Sequence, residues 1–212
     1  MKTTPLILLL ALVLTGCVGP DMVITRDYVG PSKVPTSRMA AHMQYRGFAI
    51  LRPADNRWYE NYGDQQSLEA LFRFEPLSET HTFHASVQNM RIATQPKSLE
   101  EFKKYIDAEQ SRSSARNEVI SFESTGTTLQ GQWCVQFKIK SWDKAAQQSN
   151  EPLLMTITGF AVLHPSWERT TILALYSERG KQEEIKGELN KAGDDFLAGV
   201  IVESAPGVKI QN

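Results

Sequence analysis

The chain of 212 residues carries a formal net charge of -1 at pH 7, with 41% hydrophobic and 22% charged residues. This composition is that of an ordinary globular protein, and the length suits one domain with a sizeable core. No basic run dominates the sequence, so nothing in it indicates a nucleic-acid partner.

The first residues have the pattern of a secretory signal. Lys2 precedes a run from Leu6 to Leu14 that contains only apolar side chains, and Gly16 and Cys17 follow it. The run is shorter than the roughly 20 apolar residues that a transmembrane helix needs. We therefore expect a signal peptide over residues 1–16 and not a retained transmembrane helix.

The four residues Leu14-Thr15-Gly16-Cys17 resemble the lipobox of bacterial lipoproteins. The resemblance implies that the Cys17 thiol is diacylated and that the signal is cut before it, so membrane lipid is a partner of the mature protein. Two or more acyl chains make such an anchor stable. Val18, which is not an aspartate, implies the periplasmic face of the outer membrane in preference to the inner membrane. The alternative is an ordinary cleaved signal with a chance cysteine.

Cys134 is the other of the two cysteines. With Cys17 acylated, no intramolecular disulfide can form in an oxidising envelope, so packing must stabilise the domain. Its place among alternating strand residues favours a small packed side chain. A redox or intermolecular site is the alternative.

Residues 17–45 are expected to be the lipidated cysteine and a flexible tether, because two Gly-Pro pairs and Pro35 interrupt a polar stretch without periodicity. In the alternative, part of this stretch packs as an edge strand. A single globular domain is predicted over residues 46–204, with a frayed tail at 205–212.

Alternating patterns predict strands in the first half of this domain. Residues 47–51 form a short apolar run, and residues 68–75 and 80–90 alternate between apolar and polar side chains. We expect three strands, the last two paired as a hairpin. The aromatic stretch 57–63 is interpreted as irregular.

A helix is predicted after this hairpin. Ser98 and Glu101 fit a capping box, in which each residue satisfies a backbone N–H of the other. The apolar residues that follow at helical spacing are Leu99, Phe102 and Ile106.

The second half begins with a predicted hairpin, whose strands at 118–124 and 130–142 flank a turn at 125–128. Strands at 153–163 and 170–176 are apolar on both faces, which is typical of the centre of a sheet covered on both sides.

Apolar residues at helical spacing from about 181 to 202 predict a long C-terminal helix. The order of elements, without a βαβ repeat, predicts an α+β fold: a mainly antiparallel sheet of about six or seven strands, with the middle and C-terminal helices packed on it. With Phe48, Pro53 and Trp58 near its start, this order resembles the PsbP-like α/β/α sandwich over residues 46–203. The resemblance implies a binding or assembly module without catalytic residues.

Candidate catalytic and metal sites are weak. His81 and His84 are three residues apart in a predicted strand, so their imidazoles would point to opposite faces and would not share a metal ion. The sequence has no Gly-x-Ser-x-Gly, glycine-rich phosphate loop or His-Glu-x-x-His motif. We expect no enzyme, no metal and no cofactor, while a triad from distant segments is left open.

The cluster Arg57, Trp58, Tyr59 and Tyr62 is the candidate partner-binding site, because aromatic side chains and arginine are enriched in binding hot spots. In the alternative, Trp58 belongs to the core and only the tyrosines are exposed.

These features lead to three hypotheses of function. The first is a non-enzymatic envelope lipoprotein that binds an envelope protein or a cell-wall component. The second is a tethered hydrolase with a dispersed active site, and the third is a carrier of a small ligand such as a lipid, with a pocket between sheet and helix.

Overall fold

The computed structural model describes residues 42–51, 58–63, 68–74, 78, 80–146, 149–185, 187 and 190–203. Its elements are β1 (His42–Gln44), β2 (Phe48–Leu51), β3 (Trp58–Gly63), β4 (Leu68–Phe74), β5 (Thr82–Arg91), α1 (Leu99–Gln110), β6 (Asn117–Leu129), β7 (Gln132–Asp143), β8 (Leu153–Leu163), β9 (Thr170–Gly180), α2 (Asn190–Ala198) and β10 (Ile201–Val202).

The strands form two sheets. The larger has seven strands in the order β3-β4-β5-β9-β8-β7-β6, and the smaller has the order β1-β2-β10. Every pair of neighbours is antiparallel. The predicted antiparallel α+β fold is therefore confirmed, and the two strands that are apolar on both faces, β8 and β9, lie inside the sheet as expected.

Two apolar cores lie on opposite faces of the larger sheet, because successive side chains of a strand point to opposite sides. One core contains Phe196 and Val200 from α2 and its C-terminal end, and Phe48 from the small sheet. The other contains Phe102 and Ile106 from α1, both completely buried. Burial of each such side chain stabilises the fold by about 1.5–3 kcal/mol. The helices therefore form layers on the two faces of the sheet.

Helix α1 begins where the capping residues predicted. The Glu101 N–H donates to Ser98 Oγ at 3.2 Å. The Glu101 carboxylate reaches one residue further back than a capping box requires and accepts the N–H of Lys97 at 2.7 Å. Ser124 Oγ donates to Asp107 Oδ1 at 2.6 Å and so joins the helix to β6.

The hairpin of β6 and β7 turns later than predicted. Residues 125–128 continue β6, and the turn consists of Gln130 and Gly131, with φ of 48° and 79°. Two consecutive residues with positive φ are typical of the type I′ turn that closes two-residue hairpins. Gly126 has another role, since a Cβ at this position would lie 3.3 Å from Leu99 of α1.

Two segments expected to lack regular structure contain strands. Trp58–Gly63 forms β3, which pairs with β4 through a register shift between Glu60 and Tyr62. His42–Gln44, at the end of the predicted tether, forms β1 and pairs with β2, as the edge-strand alternative described. The rest of the predicted tether, the signal peptide and the tail at 205–212 lie outside the described residues.

The C-terminal helix is shorter than the predicted span of 181–202. Residues 182–184 form a turn, and Gly187 has φ of 70°, which is not helical. Helix α2 ends at Ala198, and Ile201–Val202 pairs with β2 as β10. The apolar pattern continues past the helix because α2 and β10 bury side chains in the same core.

Candidate functional site

The structure describes one side chain of the predicted partner-binding cluster, that of Trp58. Trp58 is 1% exposed, and its ring centroid lies 6.1 Å from that of Tyr176 in the core. Tyr59 and Tyr62 lie in β3, but the structure does not describe their side chains, and Arg57 and Cys17 lie outside the described residues. Trp58 is therefore a core residue and is not available to a partner.

His81 and His84 have different surroundings. The His81 Nε2 atom lies 2.8 Å from Glu178 Oε1, and both side chains are largely buried. Burial lowers the pKa of His84 to about 4, and the charge of Arg179 adds to this effect. Among the described residues, no group of three or more His, Cys, Asp or Glu side chains could hold a metal ion.

Near His81, hydroxyl groups bond to a carboxylate and not to the imidazole. Ser78 Oγ donates to Glu184 Oε1 at 2.5 Å, and Thr80 Oγ1 donates to Glu184 Oε2 at 2.7 Å. An activated serine needs a hydrogen bond from its hydroxyl to the base. In this group the hydroxyls instead hold the 181–184 turn against the start of β5.

One end of the larger sheet carries paired charges, and we call it the paired end. Asp143 Oδ1 and Oδ2 accept two hydrogen bonds from Arg116 at 3.1 Å, and Oδ2 accepts a third from Arg179 at 2.9 Å. Burial raises the pKa of the Asp143 carboxyl, but the hydrogen bonds and charges of the arginines outweigh it, so the net pKa lies below its usual value. This network joins the ends of β7 and β9 to the segment before β6.

Aromatic rings and an arginine stack at the opposite end of the sheet. The rings of His164 and Trp167 lie 4.0 Å apart at 5°, and the Arg46 guanidinium lies 5.0 Å from the Trp167 ring centroid. Gly47, with φ of 90°, leaves room for this stack, because a Cβ there would lie 2.8 Å from both rings. The segments containing Arg46 and Trp167 are therefore in close contact.

The His164 ring is held in one orientation. Its Nδ1 accepts N–H groups of Ser166 and Trp167 at 3.1 and 3.0 Å, which places the ring proton on Nε2. Burial lowers the pKa of His164. The neutral imidazole thus fixes the loop that presents Trp167.

Two further arginines lie at this end. Arg91 ends β5 opposite Thr170, and the Ile92 N–H donates to the Arg169 carbonyl at 2.9 Å. Asn89 Nδ2 donates to the Arg46 carbonyl at 2.6 Å. The side chains of Arg46, Arg91 and Arg169 are exposed. We call these three residues, with the half-buried Trp167, the arginine cluster.

An open cleft of about 380 Å³ lies beside α1. Its lining consists of Ile92, Thr94, Gln95, Pro96, Lys97, Glu101, Lys104 and Tyr105. Gln95 Oε1 accepts the Arg169 N–H at 2.6 Å, so the loop that forms one wall also contacts the arginine cluster. The volume lies in the range of small-ligand sites, but the lining is more polar than in most of them.

Among the described residues, no helix has the length and apolar character needed to cross a membrane.

The arginine cluster was not predicted from the sequence. Its members come from three segments that only the pairing of β5 with β9 and the packing of Gly47 bring together. Trp167 and Arg169, two residues apart in the link after β8, are the local signal that the sequence offers.

The sequence matches no protein-family model and no curated protein. Among solved structures, the chain is similar to LpqN of Mycobacterium tuberculosis, which is involved in cell envelope biogenesis, at 12% identity over 75% of this chain and 86% of that chain, with a TM-score of 0.45.

A cyanobacterial PsbP from Synechocystis is similar at 14% identity over 82% of this chain and 100% of that chain, with a TM-score of 0.34. The Saccharomyces cerevisiae Ran-binding protein Mog1p is similar at 8% identity over 74% of this chain and 90% of that chain, with a TM-score of 0.41. Likeness at this level says nothing about what this chain binds.

Proposed function

We propose that the chain is a membrane-anchored lipoprotein of the bacterial cell envelope, whose α+β domain acts without catalysis as a binding or assembly module for an envelope protein complex or a cell-wall component. The observation that carries the proposal is the run from Leu6 to Leu14 followed by Thr15-Gly16-Cys17. A charged n-region, a short apolar core and a small-residue cleavage site are the parts of a secretory signal. Cys17 is the residue that receives the lipid.

The arginine cluster supports a binding role for the domain. Arginine and aromatic side chains are common in binding hot spots. The hydrogen bonds from the Ser166 and Trp167 N–H groups to His164 Nδ1 hold the loop that contains Trp167 in place. A surface held in one conformation loses less entropy when a partner binds.

Replacement of Cys17 tests the anchor. Cys17→Ser should lose the acyl mass and membrane retention, because serine has no thiol to accept the lipid. Cys134→Ala is the matched control, since it removes a completely buried cysteine and should keep both properties. Mass spectrometry and membrane fractionation measure the outcome, and unchanged fractionation of Cys17→Ser would overturn the proposal.

We also propose the outer membrane as the location, on the basis of Val18. Val18→Asp should move the protein to the inner-membrane fraction of a density gradient, whereas Val18→Ala should not. The same location of both variants would contradict the assignment.

A carrier of a small ligand is a second candidate function, favoured by the cleft beside α1. Native mass spectrometry of the protein extracted from membranes should then show a bound small molecule. Tyr105→Ala, at the cleft wall, should reduce its occupancy. A protein that is free of ligand under gentle extraction would exclude this function.

A further inference from the structure

The arginine cluster carries positive charge that the described part of the protein does not neutralise. Arg46, Arg91 and Arg169 are exposed, and none of them is within ion-pair distance of a carboxylate among the described residues. Glu168 is an exposed acid in the same loop. Glu203, half-buried, lies next to Arg46 in the fold, since its N–H donates to the Gly47 carbonyl at 2.9 Å. Among the described residues, three cations against two anions leave this surface with a net positive charge.

The paired end shows the opposite arrangement. Asp143 is 2% exposed and binds Arg116 and Arg179, and Lys144 pairs with Glu118. These pairs join elements of the fold, so the fold explains their presence. Within the described part of the chain, the arginine cluster joins no elements through its guanidinium groups, apart from the contact of Arg46 with Trp167.

The Trp167 ring beside the Arg46 guanidinium is suited to an interface between water and lipid. Trp167 is half-buried, with His164 on its ring at 4.0 Å and the Arg46 guanidinium 5.0 Å from its centroid. Tryptophan is enriched at the headgroup level of membranes. Arginine side chains bind phosphate oxygens through paired N–H donors. The cluster therefore combines both chemistries on one surface.

We propose that the arginine cluster docks the domain on the anionic phospholipid headgroups of the membrane that holds its anchor. This inference rests on the proposed function, because the Cys17 lipid supplies the proximity. The chain from Cys17 to His42 spans at most about 85 Å, so the domain stays near the headgroups. Docking is then an intramolecular step, for which a weak surface suffices.

The expected strength follows from the number of arginines. Each basic residue near an anionic surface strengthens binding by about fivefold. Removal of all three arginines should therefore weaken docking by about 100-fold. Salt should also weaken docking of the wild type, because the Debye length of the solution falls to about 3 Å at 1 M ionic strength.

The test uses the full acylated protein, reconstituted in nanodiscs of phosphatidylcholine with or without about one-third phosphatidylglycerol. Hydrogen exchange is followed by mass spectrometry in the loops containing residues 45–47 and 164–169. The cluster variant is Arg46→Gln, Arg91→Gln, Arg169→Gln. The control with equal charge change is Arg112→Gln, Lys138→Gln, Lys140→Gln, whose three side chains are also exposed.

We expect slower exchange of both loops in anionic nanodiscs than in neutral ones, reversed by high salt, lost in the cluster variant and kept in the control. Equal exchange in both nanodiscs, with the acyl mass present, would overturn docking and leave the anchor intact. A missing acyl mass would instead overturn the proposed function. Protection by inorganic phosphate in neutral nanodiscs, or by a captured envelope protein, would assign the cluster to those ligands and overturn docking.

Discussion

Protonation of His84 is expected to destabilise the domain. The side chain is 8% exposed on β5, and its register partners are Phe72 on β4 and Ser177 on β9. Burial lowers its pKa to about 4, and the Arg179 charge acts in the same direction. In moderate acid the folded protein therefore keeps a neutral imidazole, whereas the unfolded chain carries a charged one.

The sign follows from proton uptake. Between the ordinary pKa of 6.5 and the folded value of about 4, the unfolded state binds a proton that the folded state does not, so acidification lowers stability. These pKa values correspond to a decrease in the free energy of unfolding of about 2 kcal/mol at pH 5 and about 3 kcal/mol at pH 4. For an m value near 2 kcal/mol/M, the loss at pH 5 lowers the urea midpoint by about 1 M.

Urea unfolding of the wild type and His84→Gln, at about pH 7.5 and about pH 5, measures this effect. Glutamine keeps a polar side chain but does not titrate, so the midpoint of the variant should fall less on acidification, by about 1 M. Burial also lowers the pKa of His164, but this group is present in both proteins, and the difference isolates His84. Equal falls in the two proteins would refute the reasoning.

Three further predictions concern packing and charge. Asp143→Asn should lower the free energy of unfolding by about 3–5 kcal/mol, because it disrupts a buried ion-pair network. The control Lys144→Gln, at an exposed pair, should lower it by less than about 1 kcal/mol. Similar decreases for the two variants in urea unfolding would contradict this prediction. Burial raises the pKa of Cys134 to about 12, so iodoacetamide should modify it only after unfolding, and native alkylation would disprove it. Gly159→Ala would place a Cβ 2.5 Å from a backbone oxygen of β9 and should cost about 1–3 kcal/mol; Gly126→Ala, with 3.3 Å to a flexible leucine, should cost less by the same assay.

Elements with a local burial pattern could be predicted from the sequence. Helix α1 has both a cap at Ser98 and a stripe at Phe102 and Ile106, so two independent signals give the same element. Strands β8 and β9 are apolar on both faces because a core lies on each side of them. In these cases the environment of each side chain repeats with the period of the element itself.

Signals that depend on contacts between distant segments were misinterpreted. Thr125-Gly126-Thr127-Thr128 has the composition of a turn, yet Gly126 faces Leu99, where a side chain would crowd α1. Gly126 is therefore needed for the close approach of α1 and not for a reversal of the chain. Trp58 stands among polar residues in the sequence, but it lies in the core, as the alternative to the partner-binding site described, and the pairing of β3 with β4 directs it there.

The arginine cluster could not be predicted from local sequence patterns for the same reason. Most of the domain's sequence lies between Arg46 and Arg169, and Arg91 ends a strand whose residues alternate normally. Their proximity depends on register: Arg91 pairs with Thr170, the neighbour of Arg169. No periodicity contains that information, since a two-residue shift of β5 against β9 would keep the same side chains on the same faces of the sheet.

The charges at the two ends of the sheet have different physical explanations. A carboxylate as buried as Asp143 is costly to desolvate, and it is tolerated because Arg116 and Arg179 neutralise it in place. Exposed cations are not required for that purpose, and three of them at one end repel each other weakly through water. The fold would tolerate glutamine at 46, 91 and 169, since to described residues their guanidinium groups make no bridge between elements except the Trp167 contact. An anionic surface facing this end would attract each of the three guanidinium groups and so offset their mutual repulsion. Anionic headgroups therefore suit this surface.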